Sequence, residues 1–328
     1  MKINSKIKLV HNLFSKRIKM IPTRQGYGEG LVELGKNNEK VIVLCCDLTD
    51  STKSNLFAEK FPERFIQVGV AEQNMASLAA GMSSVGFIPF ISSYAVFSPG
   101  RNWDQVRVSI CYNDSNVKIA GAHAGISVGP DGATHQALED IAITRVLPNM
   151  RVIVPADSIQ AKKATIAIGE SVGPAYIRFT RPDSEVFTTE KTEFEIGKAQ
   201  ILTKGEDVTI IACGPLVYKA LEAAQELEKK HKIHAEVINN HTIKPLDTKT
   251  ILESVKKTGA VVTVEEHQIY GGLGGAIAEC LSEHCPVPMR FIGMPDSFGE
   301  SGEPNELLEK YGMTKEKIIE SVLDVIKT

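Results

Sequence analysis

Short apolar runs alternate with amphipathic stretches along nearly the whole chain, and this rhythm restricts the fold more than any other feature of the sequence. Val41–Cys46, Phe65–Val68, Phe87–Ile91, Val117–Ala120, Arg151–Val154 and Ala175–Phe179 read as strands buried on both faces. Between them, Ala71–Ser84, Pro99–Tyr112, His135–Leu147 and Ser158–Glu170 read as helices. In the first of these, Met75, Leu78, Ala79 and Met82 recur at helical spacing and form one apolar face. Strands alternating with helices predict a parallel sheet covered by helices on both sides. Residues 182–195 are polar, contain a proline and hold no period, which predicts a linker. The rhythm then resumes through Val208–Ala212, Pro215–Lys230, Ala235–Ile238, Leu252–Lys257, Ala260–Val264, Gly274–Leu281 and Met289–Ile292. The fold class is therefore α/β, with two domains, residues 21–181 and 196–328, each a mostly parallel sheet flanked by helices.

Charge and composition narrow the functional classes. The 37 basic and 40 acidic residues leave a net charge of -3, which gives no reason to expect nucleic acid. No uninterrupted apolar stretch reaches the roughly 18 residues of a membrane span. Residues 1–20 stand apart, with Lys2, Lys6, Lys8, Lys16, Arg17, Lys19 and no acid. This basic extension reads first as a tail, or as residues ahead of a start at Met20, and only then as a transit peptide. Cys45, Cys46, Cys111, Cys213, Cys280 and Cys285 show no paired metal spacing, the pattern of a reduced, cytoplasmic protein.

In an open parallel sheet, ligands bind beyond the carboxyl ends of the strands. Asp47 and Ser51 follow the first strand, Glu72 opens the helix after the second, and Tyr94 and Phe97 follow the third. The connection after Val117–Ala120 runs from Gly121 to Gln136, sixteen residues with four glycines, and carries His123, Asp131 and His135. Arg178, which reads as structural, and Arg181 close the sixth strand. Each has a plain alternative: a carboxylate at a helix start complements the helix dipole, an aromatic pair three apart packs a core, and Asp-Gly makes a turn. The histidine loop is longer than most such connections, and long ordered loops of that kind tend to carry function. Gly271-Gly272-Leu273-Gly274-Gly275 lacks both the P-loop ending and the dinucleotide spacing, so it reads as close backbone packing. His231 and His234 read as solvated, and His267 has no assigned role.

Two segments carry a family resemblance. Phe65-Ile66-Gln67-Val68-Gly69-Val70-Ala71-Glu72-Gln73-Asn74 resembles the catalytic-glutamate segment of the transketolase and deoxyxylulose-phosphate synthase group. Gly129-Pro130-Asp131-Gly132-Ala133-Thr134-His135-Gln136 resembles the Asp-Gly-x-Thr-His substrate loop of transketolases. From about Ile21 onward the chain looks like the C-terminal half of a transketolase, a pyrimidine-binding domain followed by the family's C-terminal domain. The resemblance implies thiamine diphosphate as cofactor, with Glu72 at its aminopyrimidine N1′, Tyr94 and Phe97 stacked on the ring, and Asp47 nearby. It further implies that Arg24, Ser51, His123 and Arg181 recognise a phosphate, while His123, Asp131 and His135 meet the sugar.

The family's Gly-Asp-Gly motif, which helps hold Mg²⁺ on the diphosphate, is absent from this sequence. The resemblance therefore implies half an enzyme, completed by an N-terminal subunit carrying that motif and Mg²⁺, in a heterotetramer. The expected reaction moves a two-carbon ketol unit between phosphorylated sugars, of the kind exchanged in the pentose phosphate pathway. A deoxyxylulose-phosphate synthase half fits less well, because Ala124 stands where that group carries arginine. A 2-oxo-acid dehydrogenase β subunit lacks the Asp-Gly-x-Thr-His loop, and a non-catalytic regulatory subunit would have no need of Glu72 and both loop histidines.

Overall fold

The computed structural model describes residues 1–327 and is mixed α/β, with two large sheets and two two-stranded ones. The first sheet has seven strands, in the order Thr242–Lys244, Arg151–Ile153, Ala175–Arg178, Lys118–Ala122, Ile88–Tyr94, Val41–Cys45 and Phe65–Gln67. All neighbours are parallel except the first pair. The second sheet runs Gln200–Ile201, Ala235–Asn239, Val208–Ala212, Val261–Gln268 and Met289–Met294, antiparallel only at its first pair. Thr242–Lys244 belongs to the second half of the chain yet completes the first sheet. An apolar cluster crosses the boundary as well, joining Val152, Val154 and Tyr176 to Ile211, Cys213 and Ile238.

Every expected strand is present within a few residues of its reading, because fully buried parallel strands need continuous apolar runs. The helices depart more. His135–Leu147 is helical only over Asp140–Arg145; the backbone before it is committed elsewhere, with Ala124 bridged to Ala137. Pro99–Tyr112 shrinks to Trp103–Gln105 followed by a wide helical turn, Val106–Tyr112. A fifteen-residue helix, Thr23–Asn37, escaped the pattern altogether. Glycines at 26, 28, 30 and 35 lower its helical propensity, but two of them let the helix Ser158–Glu170 pack against it. A Cβ on Gly26 would sit 1.9 Å from the Ser158 carbonyl oxygen, and one on Gly30 2.9 Å from that of Lys162.

The extension 1–20 is not a free tail. Lys2–Ile3 pairs antiparallel with Thr203–Lys204, Asn4 Nδ2 donates to the Ile201 carbonyl at 2.8 Å, and the Tyr218 hydroxyl donates to that of Leu13 at 2.7 Å. Ile3, Ile7, Leu9, Val10, Leu13, Phe14 and Ile18 pack on the second domain's core while all six basic side chains stay exposed. Amphipathicity spread over an irregular strap has no single period, which is why charge dominated its reading. Residues 182–195 are likewise fixed: Asp183–Glu185 pairs with Met20–Pro22. The buried Asp157 carboxylate accepts from the Phe187 and Thr188 amides at 3.0 and 2.7 Å.

His241 lies fully buried in this interdomain region, its ring 4.3 Å from that of Phe194, and burial pushes its pKa down to about 3. The unfolded chain takes up a proton near the usual 6.5 while the folded one does not, so His241 removes stability as pH falls below that value. Urea unfolding at pH 7 and pH 5 should show the stability gap between wild type and His241→Gln narrowing by about 1.4 kcal/mol per pH unit below about 6.5. The same assay should find Gly26→Ala destabilising by about 1–3 kcal/mol from overpacking. Gly81→Ala, on the exposed face of Glu72–Ser84 with nothing within 4 Å of the new carbon, should instead stabilise by up to about 1 kcal/mol.

Candidate active site

The strand Ile88–Tyr94 ends in Ser93 and Tyr94, and the chain turns back at once so that Phe97 returns over Tyr94, ring centroids 6.1 Å apart and stacked. Next to this pair lies Glu72, first residue of the helix Glu72–Ser84 and only 1% exposed. Its carboxylate is held on both oxygens. Ser93 Oγ donates to Oε1 at 3.2 Å and Arg101 Nη1 to Oε2 at 2.7 Å. Arg101 is half exposed and covers the Phe97 ring at 4.4 Å. Asn102 Nδ2 donates to the Glu72 carbonyl at 3.2 Å and to Ser98 Oγ at 3.1 Å, fixing the helix start against the turn.

The histidine loop comes in over the same aromatic pair. His123 stacks on Tyr94 with centroids 3.9 Å apart, and His135 meets Tyr94 and Phe97 edge-on at 6.1 and 5.6 Å. His123 adopts a positive φ of 53°, and its Nδ1 is buried without a partner among the described residues. Burial first, then the charges of Arg24, Arg181 and His135, push its pKa down to about 3. It is thus a neutral ring with an unused nitrogen near two guanidinium groups. Arg24 Nη1 donates to the Ser51 carbonyl at 2.7 Å, and Arg181 Nη1 to that of Val128 at the same distance. Arg181 also lies 3.9 Å from Asp131. Burial, the largest effect, and the Arg181 charge lower the Arg24 pKa; an anion between these cations would relieve both penalties.

Of the ten residues expected at the site, Tyr94, Phe97, His123 and His135 form one contact group, which Arg101 joins to Glu72. Arg24 and Arg181 form its cationic rim, with the Asp131 carboxylate beside Arg181 and Ser51 meeting Arg24 through its backbone and not its hydroxyl. Asp47 stands apart: its backbone has a φ of 58° and donates to Gln67 Oε1 at 2.8 Å, while its exposed carboxylate has no partner among the described residues. Ser93, Arg101 and Asn102 were not anticipated. Ser93 could have been placed by its strand-end position; Arg101 meets Glu72 across 29 residues, with no local signal.

The glycine stretch 271–275 does receive an anion, but one from the chain itself. Glu265 accepts the Leu273 and Gly274 amides at 2.7 and 2.8 Å at the start of the helix Leu273–His284. His267 is fully buried: Nδ1 donates to the Gln268 carbonyl at 2.8 Å while Nε2 accepts the Ala142 amide at 3.3 Å. Arg178 is structural, donating through Nε to Asp140 at 2.8 Å.

The Tyr94–Phe97 faces and the buried Glu72 carboxylate fit the aminopyrimidine of thiamine diphosphate: two rings to stack on, and an acceptor beside them for a ring nitrogen. Among the described residues, no cluster of three or more His, Cys, Asp or Glu is arranged to hold a metal ion.

Comparison with known proteins matches residues 19–185 to the transketolase pyrimidine-binding domain and residues 197–318 to the transketolase C-terminal domain. A Methanocaldococcus jannaschii protein described as a transketolase C-terminal section is 47% identical over 93% of this chain and 96% of its own length. The 6-deoxy-6-sulfo-D-fructose transketolase subunit of a Clostridium species is 43% identical over 92% and 94%. A solved split-gene transketolase, an inactive β4 tetramer, superposes with a TM-score of 0.88 at 48% identity, covering 94% of this chain and 99% of that one. With both domains matched in order and full-length relatives of this size, the chain belongs to the transketolase family, as a subunit of the split form.

Proposed function

We propose that this chain is the C-terminal subunit of a two-chain transketolase that transfers a two-carbon ketol unit between phosphorylated sugars. The observation that carries this reading is the buried Glu72 carboxylate beside the stacked Tyr94–Phe97 pair, under a neutral histidine and two arginines. The missing Gly-Asp-Gly motif supports an N-terminal partner that supplies the diphosphate and Mg²⁺ side, with the pairs assembling into a heterotetramer. Six free cysteines support a reducing, cytoplasmic setting.

When bound, thiamine diphosphate would supply a carbon acid, the source of a carbanion for ketol transfer. Glu72 would hold the ring nitrogen N1′ and favour the tautomer that accepts that proton. Ser93 keeps Oε1 oriented, so the ring nitrogen must share Oε2 with Arg101 or take its place. Tyr94 and Phe97 set the plane of the ring by stacking. His123, neutral through the physiological range, would accept a hydrogen bond from a sugar hydroxyl, and His135 and Asp131 are proposed to meet a second one. Arg24 and Arg181 each keep guanidinium donors beyond their one carbonyl contact, enough to grip a phosphate in pairs. Asp47, exposed just after the strand Val41–Cys45, is proposed to meet the cofactor as well.

The substrate pair is proposed as phosphorylated sugars on the strength of the arginine rim. The Clostridium relative is named for 6-deoxy-6-sulfo-D-fructose, a sugar whose anionic sulfo group would suit the same kind of rim.

Ketol-transfer assays on this chain alone, and mixed with the Gly-Asp-Gly-bearing subunit, thiamine diphosphate and Mg²⁺, should show turnover only in the mixture. Glu72→Gln should lower kcat in that mixture by about 10²–10⁴-fold without altering assembly by native mass; unchanged turnover would remove Glu72 from the chemistry. Arg181→Ala should raise KM for a phosphorylated acceptor by about 10–100-fold, as for a lost charged hydrogen bond. Its effect on an unphosphorylated analogue should be small, and an equal effect on both would take Arg181 off the phosphate.

A further inference from the structure

The loop that carries His123 and His135 is braced from the second domain. Glu266, on the strand Val261–Gln268, reaches across the domain boundary, and its Oε1 accepts the Ser127 amide at 2.6 Å. It is 4% exposed, and a Cβ on Gly125 would come within 2.2 Å of that oxygen, so the backbone at 125–127 is folded around one carboxylate. Gly125 has a φ of 91°, and its amide donates to the Ala137 carbonyl at 2.8 Å, closing the loop at its base.

Further contacts extend the brace. Arg178 Nη2 donates to the Glu266 carbonyl at 2.7 Å and to that of Ala137 at 3.3 Å, tying the same strand to the loop's far end. Gln136 Nε2 bridges the Ile126 carbonyl at 3.1 Å and the Glu300 carbonyl of the second domain at 2.9 Å. The interval between His123 and His135 is thus held from outside its own domain.

We infer that Glu266 is a positioning residue of the reaction, setting the backbone from Gly125 to Ser127 so that His123 and Arg181, through Val128, face the sugar phosphate. This deepens the function proposed above and rests on it. It also gives the second domain a role in substrate binding: the acidic arm that shapes the loop belongs to that domain.

The neighbouring carboxylate supplies the control. Successive residues of a strand point to opposite faces, and Glu265 turns the other way to cap the helix Leu273–His284. Both are buried acids on the same strand with backbone amides as donors, but only Glu266 touches the loop. Glu266→Ala should raise KM for the phosphorylated sugar about tenfold, the loss expected of one charge-assisted hydrogen bond, with kcat within about twofold. Glu266→Gln, which keeps the acceptor oxygen, should restore most of the affinity. Glu265→Ala should lower thermal stability and leave KM unchanged.

Hydrogen exchange on the lone chain gives a readout that needs no catalysis. Glu266→Ala should speed exchange at residues 125–128, and Glu265→Ala should not. Where Glu266→Ala does not fold, Glu266→Asp, shorter by one methylene, withdraws the same oxygen and should show the same exchange pattern. Wild-type exchange in Glu266→Ala or Glu266→Asp, or an equal KM rise in Glu265→Ala, would overturn the inference. An inactive wild-type complex would overturn the proposed reaction instead, and exchange would still decide whether Glu266 orders the loop.

Discussion

A guanidinium 3% exposed to solvent sits where the two domains meet, and much of the architecture is arranged to satisfy it. Arg178 ends a central strand of the first sheet, donates to Asp140 at the start of a helix, and reaches the Ala137 and Glu266 carbonyls. Burial opposes its charge, yet the Asp140 carboxylate holds its pKa above the usual arginine value. Tyr176 adds a hydroxyl donor to the same Asp140 oxygen at 2.6 Å. A buried pair of this kind contributes little net stability against an apolar replacement, but removing one partner leaves a stranded charge worth about 3–5 kcal/mol. What it secures is registration: helix start, loop base and second-domain strand are fixed to one planar group.

The site gains from the opposite condition. Its two rim arginines each donate to one carbonyl, with Asp131 3.9 Å from Arg181, and their charges bear on a histidine too buried to carry one. A region with fixed positive charge and a neutral ring is prepared for an anion at little reorganisation cost. The aromatic pair and Glu72 form the less polar floor below it. In the proposed function the chain would thereby separate two tasks on one sheet edge, orienting a flat heteroaromatic ring and gripping an anionic sugar.

The sheets and most of the site were legible in the sequence because strand ends converge by topology: once six parallel strands are found, the residues after them share an edge whatever lies between. Glu72, Tyr94, Phe97, His123 and His135 were accessible to that argument. Arg101 and Glu266 were not, since their partners lie 29 and 139 residues away and no periodicity encodes a single long-range contact. The helix Thr23–Asn37 was hidden for the opposite reason. Its glycines serve close packing against a later helix, so local propensity and tertiary need point in different directions. The strap at residues 1–20 hid behind its own charge, and the connector 182–195 behind its polarity, though Asp157 pins the latter firmly.

Thr242–Lys244, the one antiparallel member of the first sheet, lies against Arg151–Ile153 and covers what would otherwise be an edge strand, Phe65–Gln67 being the opposite edge. An exposed flat edge rich in valine and isoleucine is a template for pairing between molecules. The two domains therefore share one sheet. A pyrimidine-binding domain expressed without its C-terminal companion would carry an unpaired row of backbone donors and acceptors, and would tend toward self-association whether or not its own core had folded.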